Sequence, residues 1–247
     1  MAFIYPGWDR ERKAAGPMGL LTEFKGGKGM KTITRQKPYE EILELLHPYD
    51  RVFIAGCGTC ATTLQTGGVE QVAALADRLR ESGILVTGWT VVPTACDEMT
   101  SASAREYGGA IQSAAAVLVM ACGLGVHRLS LYLSQPVLPG LDTLFLGLED
   151  TPGHFMEVCG QCGQCLLGYT AGICPLVSCH KGLLNGPCGG TNRGKCEVDA
   201  EKDCAYTLIY NKLKEQGRLD LLRHYHPPKN HHISLKPREI RILPVKE

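Results

Sequence analysis

The chain has 247 residues, 44% hydrophobic and 21% charged, which supplies material for a core and excludes wholesale disorder. A formal net charge of +1 argues against bulk electrostatic binding of nucleic acid. No stretch reaches the roughly 20 consecutive apolar residues of a membrane span, and MAFIYPGWDRERKAAG lacks the apolar run of a secretory signal, so a cytoplasmic location with no membrane contact is expected.

Residues 1–30 are Gly-rich, with five Lys/Arg against three Asp/Glu, and read as an arm ordered by a partner. From residue 31 the pattern changes. PYEEILELLH opens with Pro38 in a first turn and acidic Glu40 and Glu41 beside it, which favours a helix start. RVFIAG (51–56) is a buried strand, and 67–83 has helical spacing with a Gly stop. The alternation repeats: strand 84–92, helix 98–116, strand 117–121, helix 123–135, strand 143–148. Strands alternating with helices imply an α/β fold, a small Rossmann-like parallel-sheet domain over 31–150.

After Asp150 the composition turns to Gly, Cys and Pro, with one convincing helix over 203–217. We read 151–222 as an irregular, cysteine-rich, ferredoxin-like cluster domain, too poor in large apolar residues to stabilise itself by burial. Bound metal would supply the missing cross-links. Residues 223–247 carry six Lys/Arg, two Asp/Glu and four histidines (224, 226, 231 and 232), and read as an extended basic tail. With a total of +1, the segment between arm and tail carries −5, so the cationic ends are suited to wrap a partner.

Cysteine occurs 12 times. The recurring C-x-x-C spacing, without an export signal, points to metal ligation rather than disulfides. Cys57 and Cys60 (GCGTC) follow the first strand of the alternation, Cys96 lies just beyond the second and Cys122 ends the third. In a parallel sheet those strand ends share one edge, where ligands bind, so the four thiols are expected to converge. Four thiolates suit a [4Fe–4S] cluster or zinc, and following helix N-termini favour the more anionic cluster. The competing reading is that Cys96 and Cys122 are small buried core residues. Gly56, Gly58 and Ala61 also fit a loose dinucleotide fingerprint, but the acidic residue expected at the end of the next strand is missing, since Asp97 lies too late, and nucleotide binding ranks last.

Cys159, Cys162 and Cys165 form C-x-x-C-x-x-C, the ferredoxin-type start of a cubane site, where a tetrahedral zinc knuckle would need only two. Cys174 precedes Pro175 as the fourth ferredoxin cysteine does, although at a longer interval. With Cys179, Cys188, Cys196 and Cys204 these make eight thiols, enough for two [4Fe–4S] clusters or for one cluster plus zinc. Spacing does not fix the connectivity. His180, beside Cys179, is a candidate ligand, although the solvent-facing reading ranks above it.

VFIAGCGTCATTLQTGG, VLVMACGLGV, LDTLFLG and above all NGPCGG…GKCEVD…DCAY resemble a known family. Over about residues 31–222 the chain looks like the small iron–sulfur/zinc-type subunit of bacterial methylenetetrahydrofolate reductase, carrying that family's C-terminal domain. The resemblance implies a flavin-binding (β/α)8-barrel partner that reduces methylenetetrahydrofolate to methyltetrahydrofolate in one-carbon (Wood–Ljungdahl) metabolism. It further implies an upstream donor such as ferredoxin or an NADH-oxidising subunit. The chain would then be an electron conduit with three [4Fe–4S] clusters, and no base-and-nucleophile constellation contradicts a non-catalytic role. The rival is a non-redox scaffold of the same complex held together by zinc.

Overall fold

The structure, a computed structural model, describes residues 29–240. The N-terminal arm up to residue 28 and the last seven residues of the basic tail lie outside the described residues.

Two sheets organise the first half. The parallel sheet has the order β3-β2-β4-β5, formed by Leu85–Val92, Arg51–Cys57, Ala116–Met120 and Val137–Pro139. Its central strands are apolar without alternation, as strands covered on both faces must be. Phe53, Ile54, Leu118 and Val119 are almost wholly buried, each worth about 1.5–3 kcal/mol of transfer energy. The covering helices are α1 (Tyr39–Leu46), α2 (Cys60–Thr63), α3 (Val69–Glu81), α4 (Met99–Glu106), α5 (Gly108–Gln112) and α6 (Gly123–Ser130). Pro38 stands at the cap of α1 rather than inside its first turn, and its carbonyl accepts from the Ile42 amide at 3.1 Å. The single helix expected over 98–116 is instead two, because Tyr107 leaves helical geometry just before Gly108-Gly109, a weak helix-forming pair.

The second sheet is antiparallel, with order β1-β6-β7 from Met30–Gln36, Leu141–Thr151 and His154–Glu157. The strand expected over 143–148 therefore exists but lies outside the parallel sheet. It pairs with β1, with Met30 opposite Leu148 and Gln36 opposite Leu141. A hairpin to β7 follows, turning at Gly153, whose φ of +80° suits glycine.

From Val158 to Cys204 the chain is mostly loop, with a one-turn helix α7 (Pro175–Ser178) and isolated bridges from Lys195 to Asn192 and Asp203. Helix α8 (Ala205–Glu215) packs Tyr206, Ile209 and Leu213 against Ala171, Ile173, Leu183, Leu219 and Leu221. This second core is small. Short 3-10 turns follow at Leu219–Arg223 and His231–Ser234. No helix among the described residues is long and apolar enough to cross a membrane.

Candidate metal centres

The first four cysteines come together at the C-terminal edge of the parallel sheet. Gly56 is in register with Met120, and Cys57 with Val92, so the chain leaves three neighbouring strands side by side. Cys57 is the last residue of β2, Cys60 opens α2, Cys122 caps α6, and Cys96 lies between β3 and α4. Cys57 and Cys122 are buried, Cys60 is half-buried and Cys96 is exposed. Desolvation pushes the Cys96 thiol up, and the charges of Cys122, Cys57 and Cys60 push it further. All three other sulfurs thus act electrostatically on Cys96.

Small residues and hydroxyls shape this edge. The Cys57 amide donates to the Gly67 carbonyl at 3.0 Å, and the Gly58 amide to Val92 at 2.8 Å. Thr59 Oγ1 donates to the Pro93 carbonyl at 2.8 Å and lies 2.8 Å from Thr94 Oγ1, tying the Cys57–Cys60 loop to the Cys96 loop. A Cβ on Gly125 would come within 2.9 Å of both Ala95 and Ala121, so α6 packs closely beside Cys96. The antiparallel sheet props the edge from the side. Thr34 Oγ1 meets Thr66 Oγ1 at 2.7 Å, Gln36 donates to the Thr66 carbonyl at 2.9 Å, and Thr143 Oγ1 accepts from the Gly123 amide at 2.8 Å.

The glycine fingerprint in this loop serves packing. Gly56 has no room for a side chain, since a Cβ there would meet the Gly67 carbonyl oxygen at 2.5 Å and Val72 at 2.7 Å. The following helix, α2, is a single turn, which gives a pyrophosphate no helix N-terminus of useful length.

The eight later cysteines divide. Cys179, Cys188, Cys196 and Cys204 line one small pocket together with Lys181, Thr191, Glu197 and Tyr206. Cys204 caps α8. Burial raises its pKa, but the amide and hydroxyl of Thr207, the Tyr206 amide and the Thr191 hydroxyl more than offset this, so its pKa is lowered. The Gly190 amide donates to Cys188 Sγ at 3.4 Å. Lys181 pairs with Glu197, and its pKa is raised chiefly by that pairing and further by Cys188 and Cys196. Cys188 Sγ in turn donates to Glu197 Oε1 at 3.3 Å.

Cys159, Cys162 and Cys165 lie on the loop after β7, and Cys174 caps α7. A Cβ on Gly160 would stand 3.6 Å from Val177 Cγ2, so this loop runs against α7, near the cap that Cys174 forms. Gln161 and Gly163 have φ of +48° and +79°, which lets the loop curl tightly. Among the described residues, no three Cys, His, Asp or Glu side chains come close enough to hold one bare metal ion.

Three participants escaped the sequence reading, Thr191, Thr207 and Glu197, and the solvent-facing reading of His180 is corrected. His180 Nδ1 lies 3.6 Å from Cys196 Sγ and its Nε2 is 3.9 Å from Asp199, so it faces a cysteine rather than solvent alone. Its place directly after Cys179 was the available signal. The threonines gave none, because only the helix cap brings them to sulfur.

No curated protein and no solved structure matches the chain. Residues 138–232, under half of the chain, match the family described as methylene-tetrahydrofolate reductase C terminal, a stretch that includes all eight later cysteines and β6, β7 and α8.

Proposed function

We propose that the chain is an electron-transfer subunit of a methylenetetrahydrofolate reductase complex, passing electrons to the flavin of a (β/α)8-barrel partner that reduces methylenetetrahydrofolate to methyltetrahydrofolate. The observation that carries this reading is the overlap between the family match over 138–232 and the eight crowded thiols it contains. The donor set fits a cluster: all twelve cysteines are free, and the Gly190 amide donates to the Cys188 sulfur. When bound, [4Fe–4S] clusters store and release one electron at a time, which suits relay from a ferredoxin or an NADH-oxidising subunit to a two-electron flavin.

In this reading Cys57, Cys60, Cys96 and Cys122 hold one centre, Cys179, Cys188, Cys196 and Cys204 a second, and Cys159, Cys162, Cys165 and Cys174 a third. Thr207, Tyr206 and Thr191 favour the Cys204 thiolate, and Lys181 offsets negative charge at Cys188 and Cys196. Anaerobic purification followed by metal analysis and EPR of the reduced protein tests this. About twelve iron atoms per chain, four for each of three clusters, is the expected result. A colourless protein holding mainly zinc would overturn the conduit and leave a zinc-held scaffold in its place.

A further inference from the structure

Residues 223–240 do not extend away from the protein. Four of them close on the C-x-x-C-x-x-C loop. Lys229 Nζ donates to the Gln164 carbonyl, and the Asn230 amide donates to Gln164 Oε1 at 2.8 Å. Arg238 Nη1 donates to the Gln161 carbonyl at 3.1 Å. Ile233 covers Gly163 so closely that a Cβ on the glycine would fall 2.4 Å from Ile233 Cγ2. Both carbonyls that receive the cationic side chains belong to residues next to a cysteine. Gln161 and Gln164 each separate two thiols, and Cys162 Sγ also donates to the Gln164 carbonyl, at 3.5 Å.

We infer that residues 229–238 are a strap in which Lys229 and Arg238 are positioning residues, fixing the curl of the Cys159–Cys165 loop and setting two positive charges beside it. The shape half of this inference stands without any metal. The charge half rests on the proposal that the loop holds a redox cluster. Reduction of such a cluster adds one electron, supplied in the test by dithionite, and nearby positive charge favours the reduced form. A lysine ammonium and an arginine guanidinium both donate to carbonyls here, and neither has a carboxylate partner in those contacts.

The test uses the full chain carrying K229M and R238M together. Exchange of the Asn230 amide, which donates to Gln164 Oε1, is expected to quicken about tenfold, with strands β2 and β4 unaffected. Unchanged exchange at Asn230 overturns the strap. In cluster-loaded protein, an EPR-monitored titration should move the centre held by Cys159, Cys162 and Cys165 to a more negative potential, with the R238M, K229R variant recovering part of the shift. An unmoved potential alongside faster exchange overturns the charge half. If the parent chain binds no iron, the functional proposal fails, and the exchange measurement still decides the strap.

Discussion

A Cβ on Gly67 would stand 2.0 Å from the carbonyl oxygen of Met120, so the backbones after α2 and at the end of β4 touch directly. The Gly67 carbonyl at the same time accepts from the Cys57 amide at 3.0 Å. One glycine therefore lies against both the strand that delivers Cys57 and the strand that leads to Cys122, two neighbours in the parallel sheet. Gly67→Ala must displace backbone rather than a flexible side-chain end, and overpacking of this kind costs about 1–3 kcal/mol. Denaturant melting should register that loss. Metal analysis should show lower occupancy at the first centre, with the Cys179, Cys188, Cys196 and Cys204 site unaffected.

The two perturbed thiols move in opposite directions, and their reactivity in the reduced, metal-free chain should reverse what exposure suggests. Cys96 is exposed, yet desolvation and its three sulfur neighbours raise its pKa. Cys204 is half-buried, yet its hydrogen-bond donors lower its pKa in spite of burial. The thiolate is the nucleophile, so at neutral pH iodoacetamide should label Cys204 before Cys96, read by peptide mass spectrometry. The linkage signs follow. Cys204, depressed in the fold, adds stability above the unfolded thiol value of about 8.5, and this is lost as pH falls through its folded pKa. Cys96, raised in the fold, subtracts stability as pH climbs past about 8.5, because the unfolded chain ionises first. Thr207→Val should slow labelling of Cys204, and Cys122→Ser should speed that of Cys96.

The parallel sheet and its cysteine edge were legible because both obey periodicity. Apolar runs such as VFIA and VLVM announce covered strands, and a parallel sheet sends all its strand ends one way, which places Cys57, Cys96 and Cys122 at one edge. The antiparallel sheet was not legible as such. The strand of β6 was visible in LDTLFLG, but its partner β1 lies more than a hundred residues earlier, in MKTITRQ, and pairing at that distance leaves no local mark. The β-branched run Thr32-Ile33-Thr34 was the signal available for β1. The division of the eight later cysteines was hidden for a related reason. Cys179, Cys188, Cys196 and Cys204 meet through loops and a helix cap, whose paths no residue spacing encodes.

Metal removal should separate the two halves of the molecule. The sheet core contains Phe53, Leu46, Ile54, Leu79, Leu118 and Met120 at full burial, whereas among the described residues the second core has Ile209 and Leu213 in that class. A chelator that strips the chain should therefore open the loops between Cys159 and Cys204 while strands β2 and β4 keep their exchange protection. Limited proteolysis of the stripped chain is expected to cut first at Lys181, Arg193 or Lys195. Cys162→Ser should reproduce part of this. Ile209→Ala, at a fully buried site, should cost about 2–5 kcal/mol in the second core alone.

Docking of the C-terminal segment should depend on one asparagine and weaken in acid. Asn185 brackets His226 at both backbone groups, donating from Nδ2 to its carbonyl at 2.8 Å and accepting from its amide at 2.7 Å. His226 is 7% exposed, and its ring lies 4.9 Å from those of both Tyr169 and His224, whose own rings stack at 4.4 Å. Asn185→Ala leaves two buried backbone groups unpaired, a loss of about 1–3 kcal/mol, and trypsin should then cut sooner after Arg223 and Lys229. Burial first, then the neighbouring charges of His224 and Lys229, lowers the His226 pKa. A base whose pKa is depressed in the docked state takes up its proton more readily when undocked. Docking should therefore be strongest above the ordinary histidine value of about 6.5 and weaken as pH falls below it. His226→Phe keeps a ring against Tyr169 and removes the titration, so tryptic cleavage in that variant should lose most of its pH dependence. An unaltered pH profile would show that another group controls the docking.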